Sequence, residues 1–266
     1  MHKPNPITAT VRAASLVSAF SLIALSTTQA AFVALPSPTP ETPGVSLGGL
    51  TGGLTGTVIA FQSNAFVDNA LPTPFATGIL NSFVVDRGGG LLDFYYQVVN
   101  TSTGPDPFGD ADFYRLKTLA GFDANTNPAI ETLQIAQTNS LAGLAPGAFA
   151  AQIGGLTQGP GLQIAQTGDR DVGTFGSVGF DFPTQPPLPF TGDTENVNFG
   201  ESSAFLVVRT NSKQFGGIVA AISGSATSFP VGTFAAIPEP SSVLFGLAMF
   251  GVTLGSRIKA RRAKSA

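Results

Sequence analysis

Leu92-Asp93-Phe94-Tyr95-Tyr96-Gln97-Val98-Val99-Asn100 is the stretch whose reading decides the fold. Side chains alternate between the two faces of a strand, so Leu92, Phe94, Tyr96 and Val98 share one face, and Asp93, Tyr95, Gln97 and Val99 the other. The first set is wholly apolar or aromatic, and that face is expected to lie on a core. Just upstream, Asp86-Arg87-Gly88-Gly89-Gly90 follows a second β-rich run at 78–85, and its glycines mark a hairpin turn between the two.

The same texture extends in both directions. Short β-rich runs at 57–67, 114–120, 130–137, 173–182, 203–210 and 217–229 are separated by Gly, Pro, Asn and Asp, while helical periodicity is scarce. Only 142–153 reads as a short helix, and 183–194 reads as a Pro-rich loop. Eight strands with non-helical connections predict an all-β chain folded as a single β-sandwich-like domain over 57–236. Residues 31–56 read as a Pro/Gly-rich spacer, with LPSPTPETP at 35–43 extended and GVSLGGLTGGLTG at 44–56 either linker or a loose first strand.

Charge is distributed unevenly along the 266 residues. Seven of the 13 Lys and Arg lie before residue 30 or after residue 256, which leaves six cations against all 16 acids and a net of −10 over 31–240. That sign repels phosphate backbones, so nucleic acid is excluded as a partner class. The chain has no cysteine, which removes disulfides, thiolate metal sites and a cysteine nucleophile. Its one histidine is His2, so the region beyond residue 30 has no imidazole for a Ser-His-Asp triad or a histidine-ligated metal. The absence of Trp removes the commonest platform for stacking sugars.

The N-terminal 30 residues carry Lys3 and Arg12, then an apolar run over 13–25, then Ser26-Thr27-Thr28-Gln29-Ala30. This is the three-part pattern of an export signal helix, with small side chains at Thr28 and Ala30 for signal peptidase and cleavage expected between Ala30 and Ala31.

At the other end, residues 237–266 form an ordered set: Ile237-Pro238-Glu239-Pro240-Ser241-Ser242, an uncharged apolar run within 243–256, then a basic tail over 257–266 with Arg257, Lys259, Arg261, Arg262 and Lys264. A helix over 241–256 rising about 1.5 Å per residue would be about 24 Å long, short of a hydrocarbon core of about 30 Å. Snorkelling of Arg257 and Lys259 and local thinning of the bilayer make up the difference. The five cations set the tail in the cytoplasm and the acidic domain outside, as a single transmembrane helix anchored in the inner membrane.

The Pro-Glu-Pro triplet, short apolar helix and Arg-rich terminus together resemble the PEP-CTERM sorting signal of Gram-negative and related bacteria. The resemblance covers about 28 residues. It implies that an exosortase, a membrane-embedded cysteine transpeptidase, reads Pro238, Glu239 and Pro240 and removes the helix and tail. Two prolines hold φ near −65° and keep the triplet out of helix, so it is expected to present an extended strip at the membrane surface. The resemblance also implies delivery to the cell surface or an extracellular matrix, with an extracellular polysaccharide as a partner.

For chemistry, the densest acidic group is Asp106, Asp110 and Asp112 in GPDPFGDADFY. Such carboxylates with loop carbonyls suit calcium, although the spacing is not that of an EF-hand and turns use Asp routinely as caps. No other cofactor is expected. Asp169 and Asp171 in TGDRDVG invite the same suggestion and otherwise read as solvated turns. Lys117 and Lys213 are the lysines left for a serine–lysine pair, and no SxxK arrangement precedes either. The expectation is a structural or adhesive exported protein and not an enzyme. Its rivals are an extracellular hydrolase using paired carboxylates, a calcium-dependent adhesion module, and an ice-binding face, which would need a regular Thr array.

Overall fold

The computed structural model describes residues 32–36, 44–47, 49–50, 54–67, 76–103, 112–122, 133–156, 162–171, 176–182, 196–224 and 228–237. In chain order its strands are β1 (Val33–Ala34), β2 (Val45–Ser46), β3 (Gly49–Leu50), β4 (Gly56–Val67), β5 (Thr77–Asp86), β6 (Leu92–Asn100), β7 (Phe113–Thr118) and β8 (Gln134–Thr138). They continue as β9 (Leu144–Ala145), β10 (Leu162–Gln163), β11 (Thr167–Arg170), β12 (Val178–Asp181), β13 (Ser202–Ser203), β14 (Phe205–Arg209), β15 (Phe215–Gly224) and β16 (Ser228–Ala236). A 3₁₀ turn at Gly147–Phe149 runs into a short helix, α1 (Ala150–Gly154), where the short helix was expected.

The chain is all-β, with two sheets packed as a sandwich. The first sheet runs β1-β8-β14-β6-β5-β4-β9, with β3 added at β8, and β13 linking β6 to β10; the second runs β16-β15-β7-β12-β11-β2. The expected hairpin joins β5 to β6, register running from Gly78↔Asn100 to Asp86↔Leu92. Gly88, Gly89 and Gly90 have φ of 111°, 68° and 75°, a left-handed run that side chains resist and glycine allows. Arg87 N donates to Leu91 O at 3.0 Å to close the turn.

Leu80, Val84, Phe94, Tyr96, Val98, Leu206 and Val208 of the first sheet face Leu116, Val178, Phe180, Ala220, Ile222 and Val231 of the second across one core. Two polar contacts tie the sheets together. The Tyr96 hydroxyl donates to Phe234 O at 2.8 Å, and Asn64 Nδ2 donates to Gly232 O at 2.9 Å. Both acceptors lie on the edge strand β16. Val219, opposite Gly232, gives its carbonyl to Leu119 N on the far side of β15, so 230, 232 and 234 turn their backbone groups away from β15. Pro230 occupies one of these outward positions, where its missing N–H costs no ladder bond.

Strand β6 corrects the expectation of a single buried face. Asp93, Tyr95 and Gln97 are also 0–1 % exposed. A second apolar cluster, including Val58, Phe83, Val85, Tyr95, Phe205 and Val207, lies on this side, with Leu144, Phe149, Ile153 and Leu156 of the 3₁₀ turn and helix region packed against it. The 141–156 segment therefore acts as a third layer, which period-2 patterning in β6 cannot reveal.

Other differences are local. The run at 217–229, expected as one strand, is a hairpin: β15 and β16 pair from Phe215↔Ala236 to Ser223↔Ser228. Asp169, expected in a solvated turn of TGDRDVG, lies instead in the strand β11, paired to both β12 and β2, and Asp171 follows just past its end. The stretch read as spacer contributes β1, β2 and β3 and buries Leu35, Leu50 and Leu54. Among the described residues no helix is long and apolar enough to cross a membrane. The signal helix expected at 1–30 and the transmembrane helix expected over 243–256 lie outside them.

Candidate functional site

The residues expected to be read in sorting, Pro238, Glu239 and Pro240, the expected cleavage pair Ala30 and Ala31, and the basic residues Arg257, Lys259, Arg261, Arg262 and Lys264 lie outside the described residues. What the fold does describe is how the chain approaches each of these points. Strand β1 begins at Val33 and pairs antiparallel with β8, Val33 opposite Ile135. Phe32, just before it, lies under the guanidinium of Arg209, whose Cζ is 3.6 Å from the ring centroid. At the other end Ile237 N still donates to Gln214 O at 3.3 Å, one residue short of Pro238.

Of the acidic group, Asp106 and Asp110 lie outside the described residues. Asp112 sits just ahead of β7 at 4 % exposure, and Asn196 Nδ2 approaches its Oδ2 at 3.5 Å. Among the described residues no three or more His, Cys, Asp or Glu side chains are grouped to hold a metal ion.

Asp169 is not in a solvated turn but fully buried on β11, while Asp171, just past the end of that strand, keeps a half-exposed side chain. On the outer face of the second sheet, Arg115 Nη2 donates to Asp169 Oδ1 at 2.7 Å, while its Nη1 holds Asp181 Oδ1. Asp169 is fully buried and Arg115 is 6 % exposed. Next to them Lys117 pairs with Asp171, which also accepts from Ser177 Oγ at 3.0 Å. The Lys117 hydrogen bond comes first among the causes that hold the Asp171 carboxyl below the usual carboxylate range, against a smaller effect of burial. Reading the motif as a turn missed these partners because Arg115 and Lys117 lie more than 50 positions upstream (|i−j| = 54) on β7.

A second cluster sits at the end of the first sheet that carries the β5–β6 turn and Phe32. Asp93 on β6 accepts from Arg87 Nε at 2.9 Å and from Arg209 Nη2 at 2.8 Å. Burial pushes the Asp93 carboxyl up, and the two guanidinium groups pull against it. Arg87 also reaches Thr210 O and Asn211 Oδ1, which ties the β5–β6 turn to the loop after β14. Lys213 extends from that loop over Gly90. Burial likewise raises the phenols of Tyr95 and Tyr96, with the Asp93 charge adding to the effect at Tyr95. The sequence did offer one signal, Arg87 within the Gly-rich turn, but the pattern there spoke only of backbone.

Chemically, both clusters are electrostatic clasps, each carboxylate meeting at least one Arg or Lys N–H donor. The threonines at 118, 138, 210 and 233 are buried. Three of them spend their hydroxyls on backbone carbonyls: Thr118 on Val178 O, Thr138 on Leu50 O and Thr210 on Leu92 O. A shallow cleft of about 110 Å³ between Leu50, Gln137, Thr138, Asn139, Ile164 and Ala204 has room for a few waters.

No family model, curated protein or solved structure matches this chain. The functional reading therefore stands on the chain's own residues.

Proposed function

We propose that this is an exported bacterial surface or matrix protein, carried across the inner membrane by its N-terminal signal and processed at a PEP-CTERM sorting signal by an exosortase. The observation that carries the reading is the order of features in 237–266: Pro238-Glu239-Pro240, an uncharged apolar run, then five cations. Each alone is common; together, and paired with the export pattern at 1–30, they specify a route. The all-β body between them, with its carboxylates clasped by Arg and Lys, suits a structural or adhesive role, and an extracellular polysaccharide is the partner class proposed for it.

The test is to express the chain in a bacterial host with and without an exosortase and to measure mass and membrane association. Loss of the mass of the apolar run and tail, only when the enzyme is present, is expected. Replacing Pro238, Glu239 and Pro240 by alanine should abolish that loss. An unchanged mass in both hosts would leave a permanent anchor and refute processing.

A further inference from the structure

We infer that the outer border of β4 is a pairing surface for a second copy of this chain. The two β4 strands join antiparallel about a two-fold axis, and the first sheet runs on from one copy into the other.

The ladder shows which backbone groups are left over. Thr77 O accepts from Thr101 N at 2.9 Å and Arg87 N donates to Leu91 O at 3.0 Å, so the odd positions along β5 turn toward β6. Backbone groups alternate sides along an antiparallel strand, so 78, 80 and 82 turn toward β4, opposite Phe66, Asn64 and Gln62. Phe61, Ser63, Ala65 and Val67 therefore turn both N–H and C=O away from β5. Strand β9 takes up that border only at Gly56 and Thr57. Among the described residues no other backbone bonds to it.

The devices that usually guard such a border are missing from this stretch. Strand β4 has neither a proline nor a charged side chain, and its bulge, between Val58 and Ala60, lies ahead of the open positions. Ser63, Ala65 and Val67 are exposed, and Val67 and Ile59 are among the large apolar side chains left in solvent. The other long border strand, β16, has Pro230 and two occupied carbonyls.

A second copy suits this border in charge and in register. The net of −10 over 31–240 makes like bodies repel wherever carboxylates face each other, and β4 brings none to the contact. With Asn64 on the axis, Phe61 lies opposite Val67 of the second copy and Ser63 opposite Ala65 of the second copy. Every outward group then finds a partner, in about eight hydrogen bonds, two for each of the four pairs. On the exposed face each Val67 meets a Phe61 ring, and the small side chains meet between them. A two-fold contact consumes the border that forms it, so assembly stops at two.

The experiment uses the full chain in detergent and exploits its lack of cysteine. Asn64→Cys would face its own mate in a pair with Cα atoms about 4.5 Å apart, within reach of a disulfide. Gln62→Cys would stand about 14 Å from its mate, and Val219→Cys is an exposed control on the second sheet. Oxidation should link Asn64→Cys into pairs at least tenfold faster than either. Adding Ser63→Lys with Ala65→Lys should suppress that linkage, and mixing with Ser63→Glu and Ala65→Glu copies should restore it. In the unsubstituted chain, amide exchange at 61, 63, 65 and 67 should slow as chain concentration rises. Equal linkage of the three cysteines, or linkage indifferent to the lysines, would overturn the inference. Protection of those amides that does not change with concentration would assign the border to another segment of the same chain and overturn it equally.

Discussion

Arg115 reaches Asp169 by laying its guanidinium across Gly179, the residue that lies between them in the second sheet. A Cβ at Gly179 would stand 2.1 Å from Asp169 Oδ1 and 2.6 Å from Arg115 Nη2. The missing side chain is therefore the passage through which a buried ion pair closes over three strands.

Gly179→Ala should break that pair and leave a buried carboxylate mispartnered, which costs about 3 kcal/mol. Gly217→Ala, in an exposed strand position with no atom within 4 Å of the added methyl, is the matched control and should be neutral or stabilising by about 0.5 kcal/mol. Urea unfolding of the two variants measures the contrast, and equal midpoints would remove the role given to Gly179.

The clasp at Asp171 predicts a sign for the acid limb. Because its folded pKa lies below the unfolded one, it stabilises the fold above the unfolded carboxylate range, and that contribution is lost as pH falls through the depressed folded value. The Asp171 side chain is 48 % exposed, so solvent screening keeps the effect small. Asp171→Asn should flatten the fall in melting temperature at acid pH and lower stability slightly near neutrality. A steeper acid fall in the variant would contradict the assignment.

The Tyr96 hydroxyl on Phe234 O is an inter-sheet bond whose loss leaves a carbonyl short of a donor. Tyr96→Phe should destabilise by about 1–2 kcal/mol with little change in packing. Combined with Asn64→Ala, which frees Gly232 O two residues away on the same strand, the loss should exceed the sum of the single changes. Strict additivity in a double-mutant cycle would show that the two bonds act independently.

Arg209→Lys keeps the charge on Asp93 but gives up the guanidinium fork and the stack on Phe32. A loss of about 1 kcal/mol is expected in thermal unfolding. Phe32→Ala in the Lys background should then add little of the stacking cost a second time.

Alternation in 92–100 and the glycines at 88–90 carried the β5–β6 hairpin and the all-β class, because both are set by local backbone chemistry. The junction at 225–227 did not separate β15 from β16, since Gly-Ser-Ala-Thr-Ser interrupts the run without Pro, Asp or Asn. Asp169 looked like a turn residue because a buried acid on a strand makes sense only beside Arg115, and Asp171 just past that strand has its partner in Lys117. The third layer over Tyr95 was hidden for the same reason: Phe149 and Ile153 come from a 3₁₀ turn and helix distant in sequence. The readings of 1–30 and 237–266 rest on composition and order alone, and the fold does not bear on them because those stretches lie almost wholly outside the described residues.

Strand β16 shows what the polar ties also achieve. With Pro230 lacking a donor and the carbonyls of Gly232 and Phe234 already occupied, the last strand is a poor template for a neighbouring molecule's backbone. Many copies crowded together would jostle without zipping into fibrils through this strand, at a density where an open border would invite aggregation.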